Sequence, residues 1–161
     1  MKTITSKLLL VAALLTFCTP AALADDEDDV RAVIAQYVAT ETTDLAKQAT
    51  LMTDDREYIS GGFRTTNNVA NMRGQIAAQK RNQAMDPNTQ AIVTIEDLHV
   101  RMYDDVATAS FYRFFNVILS AEAIAAGRTA NPPRQIVSMV LAKVGNNWKI
   151  VQTHQSPFGG N

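Results

Sequence analysis

The chain has 161 residues, 47% of them apolar and 19% charged, with a net charge of −1. That is enough apolar material for one domain with its own core, and it excludes a disordered tail. The near-neutral charge argues against a broad nucleic-acid surface, and a single Cys excludes a disulfide framework or a thiolate metal site.

The first 24 residues read as a signal peptide. Lys2 and Lys7 form a basic start, and Leu8 to Phe17 is an apolar run too short to span a bilayer. Ala22-Leu23-Ala24 then offers small residues to a signal peptidase, and an acidic stretch follows from Asp25. Cys18 follows Phe17 rather than a small residue, so the segment lacks a lipid-attachment box. Cleavage after Ala24 would remove 24 of 161 residues, leaving 137, and the loss of two Lys would take the charge from −1 to −3. The mature chain is expected to be exported, periplasmic or secreted. It would have no membrane-spanning segment and no Cys, which suits an oxidising compartment. The expected organisation is 1–24 signal peptide, 25–158 one folded domain and 159–161 a flexible tail.

In chain order, Asp28 or Asp29 can cap a helix whose Val30, Val33, Ile34, Tyr37 and Val38 fall on one apolar stripe. Thr43-Asp44 can cap a second helix with Leu45, Ala49 and Met52 inward, ended by Asp54-Asp55. Glu57 to Ser60 reads as a short strand closed by Gly61-Gly62. Asn67 or Asn68 can cap a third helix with Val69, Met72 and Ile76 on its inner face, stopped by Asp86-Pro87-Asn88. Beyond Thr89 the pattern turns β-rich. Residues 92–95, 98–103, 106–119, 135–144 and 148–156 read as strands, with turns at Asp104-Asp105 and Gly145-Asn146-Asn147. Residues 120–133 interrupt them, with a short helix over Ala121 to Ala126 closed by Gly127, and form the expected rim or lid. Helices first and long strands afterwards predict an α+β fold, a curved antiparallel sheet covered on one face by N-terminal helices.

This order of elements and the closing segment Gly145-Asn146-Asn147-Trp148-Lys149-Ile150-Val151-Gln152-Thr153-His154-Gln155-Ser156 resemble the nuclear-transport-factor-2-like superfamily, in particular its SnoaL-like branch. Tyr58-Ile59-Ser60-Gly61-Gly62, followed by a polar loop and a helix, resembles the first strand and third helix of that branch. The resemblance implies a cone-shaped, cystatin-like α+β barrel with a cavity between helices and sheet. It implies no single function, since the scaffold carries isomerases, dehydratases, cyclases, ligand binders and oligomerisation domains. Many relatives have a second His where this chain has Gln152.

Regular alternation along the last strand puts Trp148, Ile150, Gln152, His154 and Ser156 on one face, and the resemblance assigns that face to the cavity. His154 is then the candidate general base, with Tyr37 or Tyr58 as hydroxyl donor. Ser156 lies about 7 Å along the strand from it and is not expected to pair with it. Arg113, alternating with Phe111 and Phe115, can clamp a carboxylate or reach the rim. The expected ligand-binding set is Trp148, Gln152, His154, Tyr37, Tyr58 and Arg113. Asp97 and His99 can pair on a strand face. With two His and no nucleotide motif, neither a metal nor a cofactor is expected. Three functions remain open. The first is a binder of a small apolar or weakly polar ligand. The second is a cofactor-independent isomerase, dehydratase or cyclase. The third is a homodimeric interaction module pairing through its outer sheet face, which carries apolar side chains from Phe111 to Phe115 and from Ile136 to Leu141.

Overall fold

The computed structural model of the chain describes residues 20–158. Most of the signal-peptide segment and the tail 159–161 lie outside the described residues. Ten elements follow one another: helices α1 (Pro20–Thr40), α2 (Leu45–Ala49), α3 (Asn68–Met85) and α4 (Ala121–Ala125), and strands β1 (Met52–Ser60), β2 (Phe63–Thr65), β3 (Gln90–Tyr103), β4 (Val106–Ile118), β5 (Arg134–Val144) and β6 (Asn147–Pro157). The strands form one sheet in the order β2-β1-β6-β5-β4-β3. Four neighbouring pairs are antiparallel, and β1 with β6 is parallel. The sheet is therefore mixed rather than wholly antiparallel. Its first and last long strands come from opposite ends of the domain and meet without a hairpin.

The helical half departs from the sequence pattern at its boundaries. α1 begins well before the expected cap at Asp28 or Asp29, because Ala21 to Ala24 are good helix formers and nothing breaks the helix there. α2 is short, and Asp54-Asp55 does not end it. Those residues lie inside β1, in an irregular stretch between Met52 and Glu57, which pair with β6 on either side of them and carry the strand through. The helix caps are as the residue types predict. Asp44 accepts a hydrogen bond from the Lys47 N–H and Asn67 from that of Ala70, both at 2.9 Å. Gly61-Gly62, both at positive φ, turns β1 into the short β2.

The apolar core fills one end of the space between α1 and the concave face of the sheet. Val30 and Ile34 of α1 meet Met139, Leu141, Trp148 and Ile150, all buried. Asp26 ties the start of α1 to the β5–β6 hairpin, accepting from the Trp148 indole N–H at 3.1 Å and from Lys143 at 2.6 Å. The lysine hydrogen bond, then the indole, hold the Asp26 carboxyl below its usual range.

A bulge in β6 decides which residues face inward. Leu141 pairs with Ile150 and Val140 pairs with Gln152, so Val151 has no partner across the ladder. One extra residue reverses the alternation from that point on. Trp148 and Ile150 are buried before the bulge, and Thr153 and Gln155 after it. A second bulge, at Asp97 with positive φ, lies in β3 between Glu96 and His99.

Candidate functional site

Past its apolar half, α1 presents Tyr37 on the same stripe as Val30 and Ile34, and Glu41 follows directly after its last turn. Beneath them the concave sheet face changes from apolar to polar. β1 contributes Arg56 and Tyr58, β6 Gln155, β5 Gln135 and β4 Arg113. Gln48 of α2 and Gln75 of α3 close the sides, and Pro133 closes the end. These groups enclose a chamber of about 220 Å³. A wider groove of about 820 Å³ adjoins it between α3 and the ends of β3 and β4, and Glu41, Gln75 and Phe115 line both. Those three residues form the neck between groove and chamber.

Two guanidiniums are buried in this chamber. Arg113, 3% exposed, donates through Nη1 to Glu41 and through Nη2 to Gln135 and, at 3.0 Å, to Gln155. It stacks over the Phe115 ring with its central carbon 4.9 Å from the centroid. Arg56, 1% exposed, donates from Nη1 to the Thr153 hydroxyl at 3.3 Å, lies over the Tyr58 ring at 5.0 Å and has the Tyr37 hydroxyl beside it. Its Nε and Nη2 are buried without a protein partner, as are the Arg113 Nε and the Glu41 Oε2. Burial pulls the Arg56 guanidinium below its usual range. Burial also pushes the Glu41 carboxyl up, and the Arg113 charge pulls it back only in part. Burial, then the Glu41 charge, pushes the Tyr37 hydroxyl far up, so it stays neutral and can donate. The Tyr58 hydroxyl donates to Gln155 at 3.1 Å.

Of the residues singled out from sequence, Tyr37, Tyr58 and Arg113 come together here. The other three do not. Trp148 is packed in the apolar core. Gln152 and His154 follow the β6 bulge and face outward, which corrects their assignment to the cavity side. Gln152 lines a shallow outer groove of about 240 Å³ with His99, Ser110 and Ser138 and donates to Glu57 at 2.8 Å. His154 is exposed, and its Nε2 lies 3.3 Å from the Ser156 hydroxyl, closer than the strand rise alone predicted because both side chains lean together. The His99–Asp97 pair forms at 3.0 Å on the exposed bulge of β3. The 120–133 segment reaches the rim. Its Ser120-capped α4 leads to Arg128, which pairs with Asp86 at 2.8 Å beside the groove, and to Pro133 on the chamber. Sequence reasoning missed Glu41, Arg56, Gln135 and Gln155. Arg56 and Tyr58 are two apart, the spacing of one strand face, but that signal was hidden by assigning Asp54-Asp55 to a helix end.

Among the described residues no cluster of His, Cys, Asp and Glu has the makings of a metal site, and no helix is long and apolar enough to cross a membrane. No curated protein matches the chain. Its fold has solved counterparts. An NTF2-like protein with a cystatin-like fold from Novosphingobium aromaticivorans superposes with a TM-score of 0.72 at 18% identity, over 91% of this chain and 94% of that one. The protein Aln2 from a Streptomyces species gives 0.65 at 19% identity, over 86% and 92%. A candidate dehydratase of the NTF2-like family from Streptomyces avermitilis gives 0.65 at 14% identity, over 86% and 99%. At these identities the likeness is one of fold. In sequence, residues 30–159 match the model of the SnoaL-like domain, nearly the whole of the described fold, and the chain accordingly belongs to the SnoaL-like domain family.

Proposed function

We propose that the protein is an exported small-molecule-binding domain whose ligand enters by the groove and seats in the inner chamber. The observation that supports this is the chamber's lining. Two guanidiniums, one carboxylate, two tyrosines and several glutamines converge on a concave space that opens into a wider groove, so polar groups that fix a ligand's orientation adjoin room for its body. The lining is polar, so the end of the ligand that seats in the chamber is polar, where the sequence pointed to a small apolar or weakly polar ligand. A thermal-shift screen of small polar molecules tests the reading, repeated on Gln75→Trp, which narrows the neck. Compounds that raise the Tm of the wild type should fail to raise that of the variant. Equal stabilisation of both would overturn the assignment.

One feature of the chamber favours catalysis as well. The Glu41 Oε2 is buried without a partner, and burial raises the affinity of this carboxyl for a proton. An isomerase, dehydratase or cyclase activity on this scaffold would therefore use Glu41 rather than His154 for proton transfer, with neutral Tyr37 or Tyr58 as donor. Dimerisation through the convex sheet face completes the reading, since Tyr112 and Ile136 are each more than a third exposed side by side there, with Phe114 next to them. Export is tested by N-terminal sequencing of the product recovered from the periplasm or medium, which should begin at Asp25. An intact leader on the soluble protein would overturn it.

A further inference from the structure

We infer that the ligand is an amphipathic monocarboxylate, its head held by Arg56 in the chamber and its apolar body lying in the adjoining groove; this rests on the chamber being the ligand site. Charge sets the valence. Arg56 and Arg113 face one buried carboxylate, Glu41, and Tyr37 is neutral, so the chamber carries one uncompensated positive charge. A monoanion balances it. A dianion would leave a buried negative charge without a partner, which is unfavourable at this depth.

Geometry selects a carboxylate. Of the Arg56 nitrogens, Nη1 is committed to Thr153, while Nε and Nη2 are buried with no group at full hydrogen-bond geometry; the neutral Tyr37 hydroxyl lies beside the guanidinium and would join it in holding the ligand head. Nε and Nη2 share one edge of the guanidinium plane. Their parallel N–H bonds match the two oxygens of a carboxylate, the bidentate pairing that arginine makes best. Stacking of Arg56 on Tyr58 and its bond to Thr153 fix the plane in advance. Arg113 is already held by Glu41, Gln135 and Gln155, so it contributes charge and leaves the anchoring to Arg56.

Space selects the body. The chamber of about 220 Å³ has room for a head and a few carbons, and the groove of about 820 Å³ beyond the neck is within the range that holds a whole organic ligand. The groove has an apolar strip, Leu45, Ala78, Met85, Ala91, Phe115 and Val117, beside polar side chains of α3 and the loop after it such as Gln79, Asn82 and Asp86. A chain leaving the carboxylate passes Phe115 at the neck and meets these side chains.

Calorimetric titration of the whole protein with butanoate, hexanoate, octanoate, octan-1-ol and inorganic phosphate tests this. Octanoate should bind at least about tenfold more tightly than octan-1-ol, the discrimination expected of a charge-assisted bidentate pair. Affinity should rise along the acid series by up to about fourfold per methylene. Arg56→Gln should lose about tenfold or more for octanoate, and Arg56→Lys, which keeps the charge without the fork, should fall between. Equal binding of octanoate and octan-1-ol by the wild type would overturn carboxylate recognition and leave small-molecule binding standing. Phosphate binding as tightly as octanoate would overturn the head-and-body form. Binding of none of the five by the wild type would overturn this inference, while the broader screen of polar molecules decides the binding reading separately. The comparison of acid with alcohol needs no variant, so it holds even where a substitution at Arg56 disturbs folding.

Discussion

Replacing Arg56 by Met should stabilise the ligand-free protein while removing its carboxylate binding. The guanidinium is 1% exposed and touches no carboxylate directly. Burying an ion costs several kcal/mol after relaxation. Three contacts offset part of that. The bond to Thr153 is long at 3.3 Å and belongs at the lower end of the hydrogen-bond range, roughly 0.5–1 kcal/mol. The stack on Tyr58 adds about 1–2 kcal/mol at a desolvated site. The neutral Tyr37 hydroxyl beside the guanidinium is the third, and the Glu41 charge is taken up by Arg113, which contacts it directly. Met keeps the length of the stem and its packing, carries no charge and has no polar group to leave unpaired. The expected net gain is about 1–3 kcal/mol, within the range seen when buried ions give way to apolar side chains. For a domain of this length each kcal/mol moves Tm by about 3–5 °C, so a rise of about 3–15 °C is expected in thermal melts followed by circular dichroism. Octanoate at about a hundred times its Kd should add roughly 2.7 kcal/mol to the wild type and nothing to the variant. A Tm that falls by several degrees in the variant would refute the reasoning. It would mean that the Arg56 charge is already well balanced within the protein.

Glu41→Gln should change the pH dependence of stability and strengthen anion binding. The folded state binds the Glu41 proton more tightly than the unfolded chain does, so the residue's contribution is most favourable below the ordinary glutamate pKa and is lost as pH rises through the raised folded value. Urea unfolding from about pH 4 to 7 should show that falling slope in the wild type and a flatter one in the variant, and octanoate should bind the variant more tightly because a competing anion is gone. Trp148→Ala should destabilise by about 3–5 kcal/mol, measured by urea unfolding, because the indole is buried in the apolar core. His154→Ala, on the exposed outer side of β6, should leave Tm within a few degrees and ligand affinity unchanged by calorimetry. Tyr112→Glu should turn a sedimenting dimer into a monomer by placing a charge on the convex face, and an unchanged sedimentation coefficient would count against pairing through that face.

The parts of this fold that were legible in sequence are those with a local physical cause. Asp44 and Asn67 cap helices because their short side chains reach the free N–H groups of the next turn. Val30, Ile34 and Tyr37 form a buried stripe because their spacing matches the helix period. Gly127, at positive φ, closes α4 for a similarly local reason. The misplaced features depend on partners far away in the chain. β1 runs through Asp54 and Asp55, poor strand formers, because Met52 and Glu57 on either side of them pair with β6 roughly a hundred residues later. His154 lost its place in the cavity to a single unpaired residue, Val151. Nothing in the local sequence marks that bulge, and alternation carried through it puts every later side chain on the wrong face.

The chamber was hard to read for a different reason. Sequence patterns assign polar residues to water and apolar residues to the interior, and a polar cavity inverts that assignment inside an otherwise regular strand. In β5 the inward face runs Gln135, Val137, Met139, Leu141, and in β6 it ends Thr153, Gln155, so each strand looks as if it simply frays toward solvent at one end. α1 and the turn after it do the same from Ile34 through Tyr37 to Glu41. Each fading edge is ambiguous by itself. Their coincidence in space is not, because the ladder pairings bring Gln135 beside Arg113, and Tyr58 beside Thr153, under the end of one helix. Arg113 was visible early because Phe111 and Phe115 flank it on the same face, and an ion between two aromatics is seldom there for solubility. Arg56 has only Tyr58 as such a neighbour, within a run of acids that reads as a turn. The residue with the greatest unsatisfied bonding capacity in the chamber was therefore the one that local pattern concealed best. Where several strand ends and a helix end turn polar together, the side chain to examine first is the buried cation with fewest partners, since its free donors specify what the site is built to hold.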